Sequence, residues 1–133
     1  MALTLKDLIN KQIPLNGGHR MCGGCPVPVI VKQVLMSTDH PKIIGNATGC
    51  LEVATTIYPY TAWNHPRIHN AFENVAATVS GIEAAHNALS RIGEVPEHHK
   101  DAKFIAFAGD GGTYDIGLQS LSGALERGHN MLY

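Results

Sequence analysis

The sequence predicts an α/β domain built on an open, mostly parallel sheet. Three observations carry that reading. Two short runs, the β-branched 42–47 and the apolar 104–108, read as buried strands. Stretches of helical period lie between and beside them. The second run passes straight into a Gly-Asp-Gly-Gly turn and then a helix, the strand-turn-helix order of a parallel sheet. At 133 residues the chain is sized for one domain, on a scale of about 100–200 residues each. Its 44% hydrophobic and 16% charged composition suits a packed core rather than disorder.

Thr4 caps a short helix with Leu5, Leu8 and Ile9 on its apolar face and Asp7 as capping-box partner, ended by Pro14. Residues 15–25 read as a loop. Val27, Ile30, Val31, Val34 and Leu35 mark an amphipathic helix with Pro26 or Pro28 in its first turn. The strand 42–47 leads into an Asn-Ala-Thr-Gly-Cys loop. Residues 51–70 hold Tyr58, Tyr60 and Trp63 near Pro59 and Pro66 and commit to no period. Phe72, Val75, Val79, Ile82 and Leu89 define one face of a long helix ending near Gly93, with Ala76, Ala77, Ala84 and Ala85 allowing close packing. A polar connection, 94–100, precedes the strand 104–108. Thr113 caps a last helix with Leu118, Leu121 and Leu125 on one face, closed by Gly128 at C′ with Arg127 against the dipole. Met131–Tyr133 reads as the opening of another strand. The sheet is therefore expected to be incomplete at its C-terminus, and the chain to be a fragment of a longer protein.

A net charge of −1 without a basic run excludes nucleic acid or an anionic membrane as main partner. No apolar stretch approaches the roughly 18 residues of a membrane span, and the N-terminus is too polar for a secretory signal, so a cytoplasmic location is expected. Three cysteines are an odd number and exclude a closed disulfide framework.

Those cysteines are Cys22-Gly-Gly-Cys25 and Cys50. Four readings compete: an iron–sulfur cluster whose fourth ligand lies elsewhere, a zinc site completed by His19 or His65, a redox-active pair, or an unrelated buried Cys50. The turn Gly109-Asp110-Gly111-Gly112 offers backbone N–H groups to a diphosphate and a hard carboxylate to Mg²⁺, against a plain tight turn as the alternative. It matches neither the dinucleotide fingerprint nor the P-loop. Among other residues, the eight histidines read as mostly solvated, with His98 and His99 in a polar loop. Tyr58, Tyr60 and Trp63 read as core or interface. Asn64 and Asn74 are possible polar contacts, and Arg20 is either a surface residue or a counter-charge to an anionic cluster or substrate carboxylate.

The order Gly-His-Arg-Met-Cys-Gly-Gly-Cys, Asn-Ala-Thr-Gly-Cys-Leu-Glu, Phe-Glu-Asn-Val-Ala-Ala and Gly-Asp-Gly-Gly-Thr-Tyr-Asp-Ile-Gly over residues 17–133 resembles the N-terminal part of the β subunit of 2-oxoacid:ferredoxin oxidoreductases, most closely those acting on pyruvate. The resemblance implies a thiamine-diphosphate-binding fold, with residues 1–133 forming the N-terminal part of a single such domain. It implies that Cys22, Cys25 and Cys50 hold a [4Fe–4S] cluster, with Cys50 also against thiamine diphosphate. Asp110 would ligate Mg²⁺, and Gly109, Gly111 and Gly112 would surround the diphosphate. Val27 stands where the family's cofactor-approaching residue lies, after Pro26 where many relatives have glycine. The implied reaction is oxidative decarboxylation of pyruvate, with coenzyme A taking the acyl group and electrons leaving through the cluster to ferredoxin. Partner subunits of the α, γ and δ type are implied. One of them would carry the carboxylate that activates the cofactor, so neither Glu52 nor Glu73 is assigned that role. Other 2-oxoacids (2-oxoisovalerate, 2-oxoglutarate, aromatic 2-oxoacids or oxalate) and a zinc-stabilised, non-catalytic interaction domain are the alternatives.

Overall fold

The computed structural model describes residues 4–133. Three parallel strands, β1 (Lys42–Ala47), β2 (Arg67–Asn70) and β3 (Lys103–Phe107), pair in the order β2-β1-β3. The register sets Ile44 beside Arg67 on one side and Ile105 on the other. Leu132 bridges Ile105 in parallel, its N–H donating to the Phe104 carbonyl, so the expected opening of a further strand lies at the β3 edge.

Strand alternation splits the core in two. Ile44 and Ile105 face α2 (Val27–Met36), meeting Val31 and Leu35 together with Leu15 and Trp63. Ala47, Phe104 and Ala106 face α4 (Val75–Arg91), meeting Val75 and Val79. Both sheet faces are thus covered, which explains the apolar centres of β1 (Ile43, Ile44) and β3 (104–107); Lys42 and Asn46 of β1 are buried polar exceptions. The sheet can approach α4 because Gly45 has no side chain: a Cβ there would overlap a Val79 methyl and stand 3.0 Å from a Val75 methyl.

The capping box at α1 (Leu5–Ile9) is present, with Asp7 Oδ2 accepting from the Thr4 N–H at 2.8 Å. That helix stops at Asn10, before Pro14, and Leu5 and Ile9 are exposed rather than packed. The loop expected after β1 is confined to Thr48 and Gly49, and Cys50 already belongs to a helix: α3 spans Cys50–Thr55. The uncommitted stretch holds β2, and Phe72 precedes α4 rather than starting it. Trp63 is buried, its indole N–H donating to Thr55 Oγ1 at 2.8 Å, whereas Tyr58 and Tyr60 are exposed.

The single helix expected after β3 is two. α5 spans Asp110–Tyr114 and α6 spans Leu118–Glu126. Thr113 is inside α5, donating to the Gly109 carbonyl at 2.7 Å, and caps nothing. The break falls at Gly117, packed so closely on α5 that a Cβ there would overlap the Gly112 carbonyl. Consequently Ala124, and not Leu118 or Leu125, is the buried residue of α6. Gly128 follows at φ +67°, the left-handed C′ conformation expected of it. No helix among the described residues is long and apolar enough to cross a membrane.

Candidate functional site

Parallel strands end on one rim, and open α/β sheets bind ligands there. At this rim the chain leaves β1 through Thr48 and Gly49 and enters α3 at Cys50. It leaves β3 through Ala108 and Gly109 and enters α5 at Asp110. Between the two crossings lies a cavity of about 480 Å³. Its walls are mainly apolar: Val27, Ile30 and Val31 from α2, Leu51 from α3, and Phe72 and Phe107. Asn46, Thr48, Cys50 and Asp110 supply the polar groups.

Four expected site residues, Val27, Cys50, Gly109 and Asp110, therefore share one cavity although up to 83 positions separate them in sequence. Gly111 and Gly112 continue the turn into α5. Gly112 is buried, and a Cβ there would stand 3.0 Å from the Phe72 carbonyl oxygen and 3.1 Å from Ala108 Cβ. The turn thus rests on its floor backbone to backbone. From above, the Tyr133 hydroxyl donates to the Gly112 carbonyl at 2.7 Å. Asp110 is exposed on the rim, where a divalent cation can keep most of its waters. An apolar cavity ending in one carboxylate and a glycine turn can take a ligand with an apolar part at one end and an anionic, cation-associated group at the other.

Buried Asn46 is held by both flanking strands. Its Oδ1 accepts from Arg67 at 3.0 Å and its amide donates to the Phe107 carbonyl at 3.3 Å. Burial pulls the Arg67 guanidinium below its ordinary value, with Glu52 acting in the opposite direction. Thr48 donates to the Asn70 carbonyl at 3.0 Å and lies 2.7 Å from His69 Nε2, so that ring nitrogen donates to Thr48. Glu52 lies 3.6 Å from the same nitrogen. The sequence alone assigns no site role to Thr48, Ile30, Leu51, Phe72 or Tyr133; Ile30 and Phe72 read only as apolar-face residues of helices.

The cysteines divide differently. Cys22 and Cys50 are exposed and line a groove of about 320 Å³ with Arg20, Met21, Val53 and Ala54. Cys25 does not line it; its N–H donates to the Cys22 carbonyl at 3.1 Å and closes the loop, with Gly24 at φ +78°. Among the described residues, no three histidine, cysteine, aspartate or glutamate side chains converge as a metal site. The expected zinc partners stand elsewhere. His19 lines a separate pocket, and His65 lies beside Lys42, where burial pulls its pKa down.

Residues 44–133 match the family model of the thiamine pyrophosphate enzymes, C-terminal TPP binding domain. The chain is 63% identical to pyruvate synthase subunit PorB of Thermotoga maritima over 140 residues, covering all of this chain and 43% of that protein. Identity to the subunit of the same name from Methanocaldococcus jannaschii is 56% over 117 residues, 87% of this chain and 39% of the relative. Ketoisovalerate oxidoreductase subunit VorB of Pyrococcus abyssi is 41% identical over 116 residues, 87% of this chain and 36% of that one. The chain thus spans about two fifths of the length of the curated relatives it matches.

Proposed function

Since the chain belongs to the thiamine pyrophosphate enzymes, through their C-terminal TPP binding domain, we propose that it holds thiamine diphosphate at the rim cavity as part of a pyruvate:ferredoxin oxidoreductase subunit. On this reading residues 1–133 are the N-terminal part of one cofactor-binding domain. The observation that carries the reading is the cavity itself, which joins Val27 and Cys50 to the Gly109-Asp110 turn.

Asp110 would hold Mg²⁺ through its exposed carboxylate, and the metal would supply positive charge to offset that of a diphosphate. Gly109, Gly111 and Gly112 let the backbone approach the phosphate oxygens. Val27, Ile30, Leu51 and Phe107 exclude water from the ring end of the cavity and orient the rings there. When bound, thiamine diphosphate supplies a nucleophilic carbon for the keto group of a 2-oxoacid and an electron sink as carbon dioxide leaves. The activating carboxylate comes from a partner subunit, and further partners, coenzyme A and ferredoxin complete the reaction. Pyruvate is favoured over 2-oxoisovalerate as substrate because the pyruvate synthase subunit is the more similar relative, 63% against 41%.

A [4Fe–4S] cluster on Cys22, Cys25 and Cys50 would supply a one-electron path. Thiolate is the right donor for it. Support for this part comes from the motif and from the groove that Cys22 and Cys50 share; the three side chains do not stand as one ligand set.

The test is calorimetric titration of thiamine diphosphate into the complete subunit in its native assembly, purified without oxygen, with and without Mg²⁺. Mg²⁺-dependent saturable binding, lost in Asp110→Asn, is the expected result. Absence of binding, or stoichiometric zinc with neither iron nor acid-labile sulfide, overturns the proposal.

A further inference from the structure

A second pocket, of about 210 Å³, opens beside the carboxyl end of α3. The Gly17-Gly18-His19-Arg20 segment forms one wall, and Thr55, Tyr60 and Thr61 contribute to the others. It shares Arg20 and Ala54 with the groove of Cys22 and Cys50, but no lining residue with the rim cavity.

Its chemistry is one-sided. No aspartate or glutamate lines it. Arg20 has no carboxylate within 4.0 Å among the described residues, while its backbone N–H is fixed to the Ala54 carbonyl at 2.8 Å. His19 Nδ1 is enclosed yet has no hydrogen-bond partner, although buried polar atoms nearly always have one. Thr61 Oγ1 already accepts from the Trp63 N–H, which leaves its own proton free to donate. The Thr55 hydroxyl is spent on the Leu51 carbonyl and the Trp63 indole. The groups that can donate are the guanidinium fork of exposed Arg20, the hydroxyls of Thr61 and Tyr60, and the His19 imidazole when Nδ1 carries its proton. Gly18, at φ +88°, turns the chain so that His19 and Arg20 both border the same space.

We propose that this pocket is an oxyanion-binding site, taking the phosphate or carboxylate head group of a small ligand through Arg20 and His19. A guanidinium binds either head group with two parallel N–H bonds, a geometry lysine lacks. The site stands independently of the thiamine diphosphate reading, since it shares no residue with the rim cavity.

The experiment titrates inorganic phosphate and, separately, pyruvate into the complete subunit by calorimetry. It is repeated in Arg20→Ala, Arg20→Lys and, with Mg²⁺ present so that loss of the carboxylate removes metal-dependent binding at the glycine turn, Asp110→Asn. The expected result is saturable binding of at least one anion, weakened tenfold or more in Arg20→Ala, less in Arg20→Lys, and retained in Asp110→Asn. Binding of phosphate alone identifies a phosphorylated ligand, and binding of pyruvate alone a carboxylate. No saturable binding of either anion in correctly folded wild type overturns the proposal, as does binding insensitive to Arg20→Ala or abolished by Asp110→Asn. Thiamine diphosphate titrated into Arg20→Ala reports the fate of the rim cavity separately.

Discussion

Replacing Gly112 and Gly111 in turn by alanine asks whether the α5 turn is pinned to its floor. At Gly112 the new methyl would meet the Phe72 carbonyl oxygen at 3.0 Å, Ala108 Cβ at 3.1 Å and Ala47 Cβ at 3.4 Å. None of these atoms can rotate away on a flexible side chain, so the turn must lift. Overpacking of this kind costs about 1–3 kcal/mol. Alanine returns about 0.8–1 kcal/mol of helix propensity, leaving a net cost of about 0–2 kcal/mol. At Gly111 the methyl would meet only the Phe72 ring, at 3.6 and 3.8 Å, which is ordinary contact. Neither glycine has positive φ, so alanine meets no backbone strain at either. Gly111→Ala should therefore be neutral or stabilising by up to about 1 kcal/mol. Urea unfolding of the two variants in the complete subunit reads the difference as a shift in midpoint at constant slope. On the proposed function, calorimetry should add a loss of thiamine diphosphate affinity in Gly112→Ala of about tenfold, equivalent to about 1.4 kcal/mol, because the lifted turn would no longer meet the phosphates. If Gly112→Ala is as stable as Gly111→Ala and binds as tightly as wild type, the turn is not seated as described.

Tyr133→Phe removes the 2.7 Å bond to the Gly112 carbonyl and should lower stability by about 0.5–1.5 kcal/mol in urea unfolding, with no loss of helix by circular dichroism. Gly45→Ala forces a methyl into Val79 and should cost about 1–3 kcal/mol; pairing it with Val79→Ala should recover part of that loss, and strict additivity would refute the contact. Glu83 is buried, and the 2.8 Å hydrogen bond from His129 holds its carboxyl below the usual range, assisted by Asn87. A depressed folded-state pKa stabilises the fold above the unfolded value of about 4.3, and that contribution is lost as pH falls through the lower folded value. Unfolding midpoints between pH 6 and 3 should accordingly fall more steeply for wild type than for Glu83→Gln.

The strands and long helices were legible because their burial leaves a period. β3 is covered on both faces and reads as an apolar run from Phe104, β1 shows the same at Ile43 and Ile44, and the Val75–Val79–Ile82 spacing follows directly from packing on β1 and β3. β2 left no such mark: it is four residues long and carries Arg67, His69 and Asn70, whose polar ends find partners in Asn46, Thr48 and Thr78. The start of α3 was hidden because Gly49 and Cys50 resemble loop residues. The break before α6 was hidden because it depends on how closely Gly117 packs against Gly112, a contact between segments that local propensity does not encode. At the site, the glycine turn and Cys50 announce themselves by composition. Phe72 and Tyr133 do not, because an aromatic ring shaping a cavity has the same local signature as one filling a core.

Trp63 has a use that its structural role does not suggest. It is the chain's single tryptophan, and its ring centroid lies 5.8 Å from that of Phe107, a wall residue of the rim cavity, with the Arg67 guanidinium 5.7 Å from its centre. Indole emission responds to nearby charge and packing, so this side chain is a built-in optical gauge of whether the cavity is filled. Any ligand that displaces Phe107 should change the intrinsic fluorescence of the chain without the need for a label.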